Sequence, residues 1–145
     1  GAKDERKSGL IGIVYAAASC LTEASNQLPT TESLIQDIHF TLSTTTWREL
    51  GWKALAISLS DIAAMGGLPQ YALGSLCLPG DTEVASIAEL YEGMAELARL
   101  FDVSIVGGDS VEAPVVMLSL VVIGKAHETQ NVLTRSAAAP EDRIA

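Results

Sequence analysis

Apolar positions along the chain fall into two rhythms. Val84, Ile87, Ala88, Tyr91, Met94, Ala95, Ala98 and Phe101 recur at helical spacing, with Glu89, Glu92 and Glu96 on the other side, which predicts an amphipathic helix. A second helix is announced by Thr46-Trp47-Arg48-Glu49, a capping box in which Thr accepts from the backbone and Glu reaches back. It is expected to run to about Met65, where Gly66 and Gly67 supply a left-handed cap and Pro69 forbids continuation. Its apolar residues lie on nearly every face, as in a helix buried on all sides.

The remaining apolar runs are short. Leu28–Phe40, Gln70–Leu78, Val103–Val106 and Pro114–Lys125 read as strands, with an optional short one at Asn131–Arg135. Ile11–Cys20 fits strand or helix, Leu21–Gln27 a loop, Pro79-Gly80-Asp81 a turn, and the charged residues 1–9 a frayed end. The order strand, strand, helix, strand, helix, strand, strand predicts an α+β fold, helices packed on one face of a mixed sheet.

Length and composition add four constraints. At 145 residues the chain has the length of a single domain, 1–145. Hydrophobic content of 48% and a mean hydropathy of +0.30 are high for one domain, yet no run reaches the roughly 18 apolar residues of a membrane span. The surplus implies surface covered by a partner, and a homodimer is expected. A formal net charge of −9 with no basic stripe argues against nucleic acid, and means that phosphates would be handled through metal ions. Cys20 and Cys77 are far apart and lack metal-ligand spacing; with no signal-peptide pattern at the start, a reducing, cytoplasmic setting is expected.

The candidate chemistry centres on Ser58–Pro69, a small-residue and apolar run holding one carboxylate, Asp61. A carboxylate there requires a cation or several donors. Glu32 and Asp109 also stand at ends of apolar segments beside Thr, Ser or Gly, a donor set suited to a hard cation such as Mg²⁺. With the turn Gly107-Gly108-Asp109-Ser110 this hints at phosphoryl chemistry, although neither a Walker motif nor a dinucleotide fingerprint is present. His39 reads as a donor to substrate or as a structural hydrogen-bonder, Tyr91 as ligand or core, Arg135 as a phosphate clamp or a solvated charge.

Four segments carry a family resemblance. Thr30-Thr31-Glu32-Ser33-Leu34-Ile35-Gln36-Asp37-Ile38-His39-Phe40 resembles the TTDxLVEGVHF segment of thiamine-monophosphate kinases. Lys53 to Gly66 is similar to their KALAVNLSDIAAMG, Gly107-Gly108-Asp109-Ser110 to their GGDT, and Leu133-Thr134-Arg135-Ser136 to the start of their LTRSGA. The resemblance extends from about residue 30 onward and implies the amino-terminal domain of a longer enzyme. That enzyme uses Mg²⁺ and ATP to phosphorylate thiamine monophosphate to thiamine diphosphate. The resemblance implies that the sheet pairs with a second subunit in a barrel-like dimer. It implies metal at Thr31, Glu32, Asp61 and Asp109, with Thr30 at its edge. It further implies ATP at Tyr91, Gly108, Asp109 and Arg135, and thiamine phosphate at His39.

The chain departs from the family pattern in three places. Ile13 and Val14 stand where the family carries the acids of GDDAA; Glu32 replaces Asp; and the 145 residues are expected to correspond to the amino-terminal domain alone, where the family runs on into a carboxy-terminal one. The first departure favours an alternative reading, a non-catalytic dimerisation or nucleotide-binding module of the same superfamily. A sister ATP-using enzyme, an aminoimidazole ribonucleotide or selenophosphate synthetase, is disfavoured by His39-Phe40 and by the wording Ser60-Asp61-Ile62-Ala63-Ala64-Met65-Gly66.

Overall fold

The computed structural model describes residues 10–14, 17–21, 26–127, 132–134 and 138–143. Six strands and two helices follow in the order β1 (Leu10–Val14), β2 (Ala17–Leu21), β3 (Asn26–Ile35), α1 (Trp47–Ala64), β4 (Gly67–Leu78), α2 (Val84–Leu100), β5 (Ser104–Glu112) and β6 (Met117–Ala126). They form one mixed sheet, β1-β2-β3-β6-β4-β5, in which only β4 and β5 run parallel. This is the expected α+β arrangement, with both helices on one face. The ambiguous Ile11–Cys20 run is a hairpin, one strand more than the sequence order anticipated.

The pleat decides what each strand residue faces. Along β6, Leu118, Leu120 and Val122 are buried toward the helices, in register with Leu34, Glu32 and Thr30 of β3 and with Leu76, Gly74 and Ala72 of β4. Alternate positions point to the open face: Thr31, Val121 and Leu73 in one row, Ser33, Ser119, Ser75 and Asp109 in the next. Ser33 and Ser119 join hydroxyls at 2.7 Å across that second row. The core between sheet and helices holds Leu28, Leu34, Leu50, Leu55, Ile62, Leu90, Met94, Leu118 and Val122.

α1 begins as its capping box requires. Thr46 accepts from Glu49 N–H at 3.2 Å, and Glu49 accepts from Thr46 N–H at 2.9 Å. It ends at Ala64 with Met65 as its C-cap, followed by Gly66, whose φ of 71° is the left-handed conformation that closes the helix; Gly67 already belongs to β4. α1 is not buried all round: Leu50, Ala54, Leu55, Ser58, Leu59 and Ile62 form one buried stripe, while Trp52, Ala63 and Ala64 face outward. Alanine is small enough to sit on a surface at little cost, so its presence overstated burial.

Other boundaries differ for local reasons. β3 stops at Ile35 rather than Phe40, because Asp37 turns the chain with φ 63°. β4 starts at Gly67, three residues early, and absorbs Pro69 at a shift of register between Pro69 and Tyr71, where a missing N–H is tolerated. β5 is neither short nor buried: it is a nine-residue edge strand that runs straight through Gly107 and Gly108. Val132–Thr134 is not strand; Leu133 N–H instead donates to Met65 O at the end of α1.

The buried face of α2 is Leu90, Gly93, Met94, Leu97 and Ala98, rotated from the anticipated one; Val84 is 81% exposed and Phe101 54%. The rotation follows from helix–helix contact. A Cβ on Gly93 would lie 1.9 Å from Arg48 O, and one on Gly51 1.9 Å from Leu90 O, so the two helices touch backbone to backbone through reciprocal glycines. Arg48 adds exposed ion pairs to Glu92 (3.3 Å) and Glu96 (2.9 Å), which contribute little by themselves.

Asp37 occupies the position at which the family segment quoted above has Gly. A left-handed residue with a side chain carries a penalty that glycine escapes, less for Asp than for most. Asp37→Gly is therefore expected to be neutral or stabilising by up to about 1 kcal/mol. A clear loss in the denaturant midpoint would show that the Asp37 side chain has a role of its own.

Candidate functional site

The sequence candidates separate into two groups. The first lies where β3 passes under the last turns of α1. Thr30 is buried on the helix-facing side and donates its hydroxyl to Asp61 Oδ2 at 2.8 Å. Glu32, two residues on and on the same face, lies close enough to Asp61 for the two carboxyls to act on each other. Thr31 points to the opposite face, so it is Thr30 that accompanies the carboxylates. His39 lies close enough to act on Glu32, and Lys53 Nζ donates to His39 O at 2.8 Å.

Burial pushes the Glu32 carboxyl above a free glutamate's 4.5, and the neighbouring Asp61 charge and hydrogen bond push the same way, against a smaller pull from His39. Neighbouring carboxylates of this kind suit a cation that offsets their charge. The consequence for stability has a definite sign. Native Glu32 keeps its proton to higher pH than unfolded Glu32. Its contribution is thus fully present below 4.5 and is lost as pH rises through the native value. The unfolding free energy of the metal-free protein minus that of Glu32→Gln should therefore fall as pH rises above 4.5. A difference that grows with pH would contradict the pairing.

The second group lies on β5. Tyr91 and Ala95 of α2 face Ile105, Val106, Gly107, Gly108, Asp109 and Ser110 across a cavity of about 680 Å³. β5 can lie this tightly because Gly108 has no Cβ; one there would sit 1.9 Å from Gly74 O. Asp109 Oδ1 accepts from Ser110 N–H at 2.8 Å and leaves its outer oxygen free of any hydrogen bond found among the described residues. Asp109 also lines a trough on the open face with Leu73, Ser75, Ser119 and Val121.

The structure does not bring Asp109 to Glu32 and Asp61. Glu32 shares a row with Gly108, three strand spacings away, roughly 14 Å. Asp109 is one residue on and so faces the other side of the sheet. No cluster of three or more metal-ligating side chains occurs among the described residues. Arg135 lies outside the described residues; Ile13 and Val14 are in β1, paired with Ala18 and Ala17. Sequence reasoning missed Lys53, which stood inside a quoted motif but offered no sign of what it would contact.

Residues 15–126 match the family described as AIR synthase related protein, N-terminal domain. The chain belongs to this family. Among curated relatives, the thiamine-monophosphate kinase of Bacillus subtilis is 40% identical over 114 residues, 78% of this chain and 35% of its own length. The solved thiamine monophosphate kinase of Aquifex aeolicus superposes with a TM-score of 0.72 at 30% identity, covering 77% of this chain and 37% of that one. A structure described as AaThiL complexed with AMPPCP and TMP superposes equally, TM-score 0.72 at 31% identity, over 75% of this chain and 35% of that one. The chain thus spans about a third of the length of the relatives it matches. Among the described residues no helix is long and apolar enough to cross a membrane.

Proposed function

We propose that this chain is the nucleotide- and metal-binding part of a cytoplasmic enzyme that transfers the γ-phosphoryl group of ATP to thiamine monophosphate, giving thiamine diphosphate. The observation that carries the reading is the cavity between Tyr91 and the Gly107-Gly108-Asp109 stretch of β5, of a size usual for small-ligand sites. It supports a nucleotide there: glycine backbone admits phosphates closely, and the Tyr91 ring borders the cavity opposite. Kinship with enzymes named thiamine-monophosphate kinase, and the described complex with AMPPCP and TMP, support the choice of substrates.

The oxygen donors fit Mg²⁺ at two separate places, Glu32 and Asp61 with Thr30 beside them, and Asp109 at the nucleotide cavity. When bound, the metal offsets phosphate charge. The residues of the chain hold the reactants in place. Gly108, Asp109 and Tyr91 position ATP, with Arg135 beside it by resemblance, and His39 donates to the acceptor phosphate. An oxygen of that phosphate attacks the γ-phosphorus in line, the bond to ADP breaks, and ADP leaves.

A second copy would cover the open face, where Leu73, Val111 and Val121 lie exposed around the serine row. Exposed apolar side chains beside that polar row of Ser33, Ser75, Ser119 and Asp109 support a cover for part of the face. The alternative, a non-catalytic nucleotide-binding module, rests on Ile13 and Val14 standing where the family has acids.

The metal pair gives the test. In EDTA, Asp61→Asn should be neutral or stabilising by up to about 1–2 kcal/mol, since Asn still accepts from Thr30 while the repulsion with Glu32 is removed. Mg²⁺ should raise the unfolding midpoint of the parent by more than that of the variant, which keeps only the Asp109 place. A strongly destabilised Asp61→Asn that responds to Mg²⁺ as fully as the parent would make Asp61 a structural acid and remove the metal from the Glu32–Asp61 pair.

A further inference from the structure

The turn that presents His39 is built almost entirely from hydrogen bonds. Gln36 is pinned to Val116 twice, its N–H donating to Val116 O at 2.9 Å and its Oε1 accepting from Val116 N–H at 3.1 Å. Asp37 N–H donates to Phe40 O at 2.7 Å, and the Phe40 ring is buried in the core. Ile35 O accepts from His39 N–H at 2.9 Å and from Ile38 N–H at 3.2 Å.

One bond fixes chemistry as well as shape. Ile35 N–H donates to His39 Nδ1 at 3.1 Å. An acceptor nitrogen carries no proton, so the neutral ring holds its hydrogen on Nε2. His39 is exposed, and that Nε2–H is left to donate to a ligand.

The His39 carbonyl takes its donor from another element, Lys53 Nζ at 2.8 Å. Lys53 is on α1 next to Ala54 and Leu55, both packed in the core, so its stem rises from a rigid base. An ammonium donating to a carbonyl is a charge-assisted bond, stronger than a neutral one. Without it the 35–39 ring is tied to the molecule only at its ends, by Gln36 and Phe40.

We propose that Lys53 is a positioning residue: by gripping the His39 carbonyl it holds the turn closed, keeps Nδ1 on the Ile35 N–H, and thereby presents His39 as an Nε2–H donor to an anionic oxygen. Its relevance to phosphoryl transfer rests on the reading above, in which that oxygen belongs to the acceptor phosphate. Lys53 acts through His39 and need not touch substrate.

The experiment is a long-range proton–nitrogen correlation of the His39 ring in ¹⁵N-labelled protein, recorded without ligand and with the ring neutral. The parent should show a single tautomer, Nε2 protonated and Nδ1 bare. In Lys53→Met, which keeps the exposed stem and loses the ammonium, the two nitrogen signals should move toward each other as tautomers mix; Lys53→Arg should restore the parent pattern. An unchanged tautomer in Lys53→Met, or a parent ring protonated on Nδ1, overturns the proposal. Addition of thiamine monophosphate to the parent then tests the underlying reading separately. Perturbed His39 signals, with an affinity several-fold weaker in Lys53→Met, support both. Unperturbed signals beside an intact tautomer effect remove the acceptor-phosphate role and leave Lys53 as the strut.

Discussion

Gly93→Ala is expected to cost about 2 kcal/mol, overpacking outweighing helix propensity, and to loosen the whole helical layer. Two effects compete at this position. Alanine is the better helix former, by about 1 kcal/mol in a helix interior. Against it stands a Cβ that would lie 1.9 Å from Arg48 O and 2.8 Å from Arg48 C, both backbone atoms of α1. Backbone cannot rotate away as a side-chain end can, so α2 must move off α1 by an ångström or more. Overpacking of this kind costs about 1–3 kcal/mol and sometimes more. The movement also parts Leu90 and Met94 from the core they fill. Gly51→Ala meets the reciprocal obstacle at Leu90 O and should behave alike. Denaturant unfolding checks both: a fall in midpoint at unchanged slope is expected, and a midpoint equal to or above the parent's would show that helix propensity wins and that the close contact is not real. The movement would also displace both proposed sites, because Tyr91 is carried by α2 and Asp61 by α1.

How much of this was legible depends on the range of the interaction involved. α1 was readable at both ends, because the Thr46–Glu49 box and the left-handed Gly66 are contacts within a few residues. The grouping of Tyr91, Gly108, Asp109 and Arg135 rests on resemblance; the first three line one cavity, and Arg135 lies outside the described residues. The face of α2 was misjudged since the choice between Tyr91 and Leu90 turns on where Gly93 meets Arg48, a contact across 45 residues that periodicity does not contain. β5 was cut short because Gly107-Gly108 signals a turn in isolation; pairing with Leu73 and Gly74 of β4 keeps it extended. Asp109 and Glu32 were expected around one ion, and only sheet order and register reveal that they lie three strands apart on opposite faces.

In the proposed function, that separation makes Asp109 the residue on which nucleotide binding would depend most. Its carboxylate contacts its own neighbour, Ser110 N–H, through an oxygen that asparagine retains, so Asp109→Asn should fold as the parent does. What the variant loses is the negative charge that would hold a cation against the triphosphate, in a protein of net charge −9 that otherwise repels it. A loss of at least tenfold in affinity, about 1.4 kcal/mol, is the expected scale. Calorimetric titration of Mg²⁺ and AMPPCP into parent and Asp109→Asn is the direct measurement. The account predicts saturable, Mg²⁺-dependent binding by the parent, at least tenfold weaker in the variant; a parent that binds no nucleotide, or a variant that binds it equally well, would contradict it.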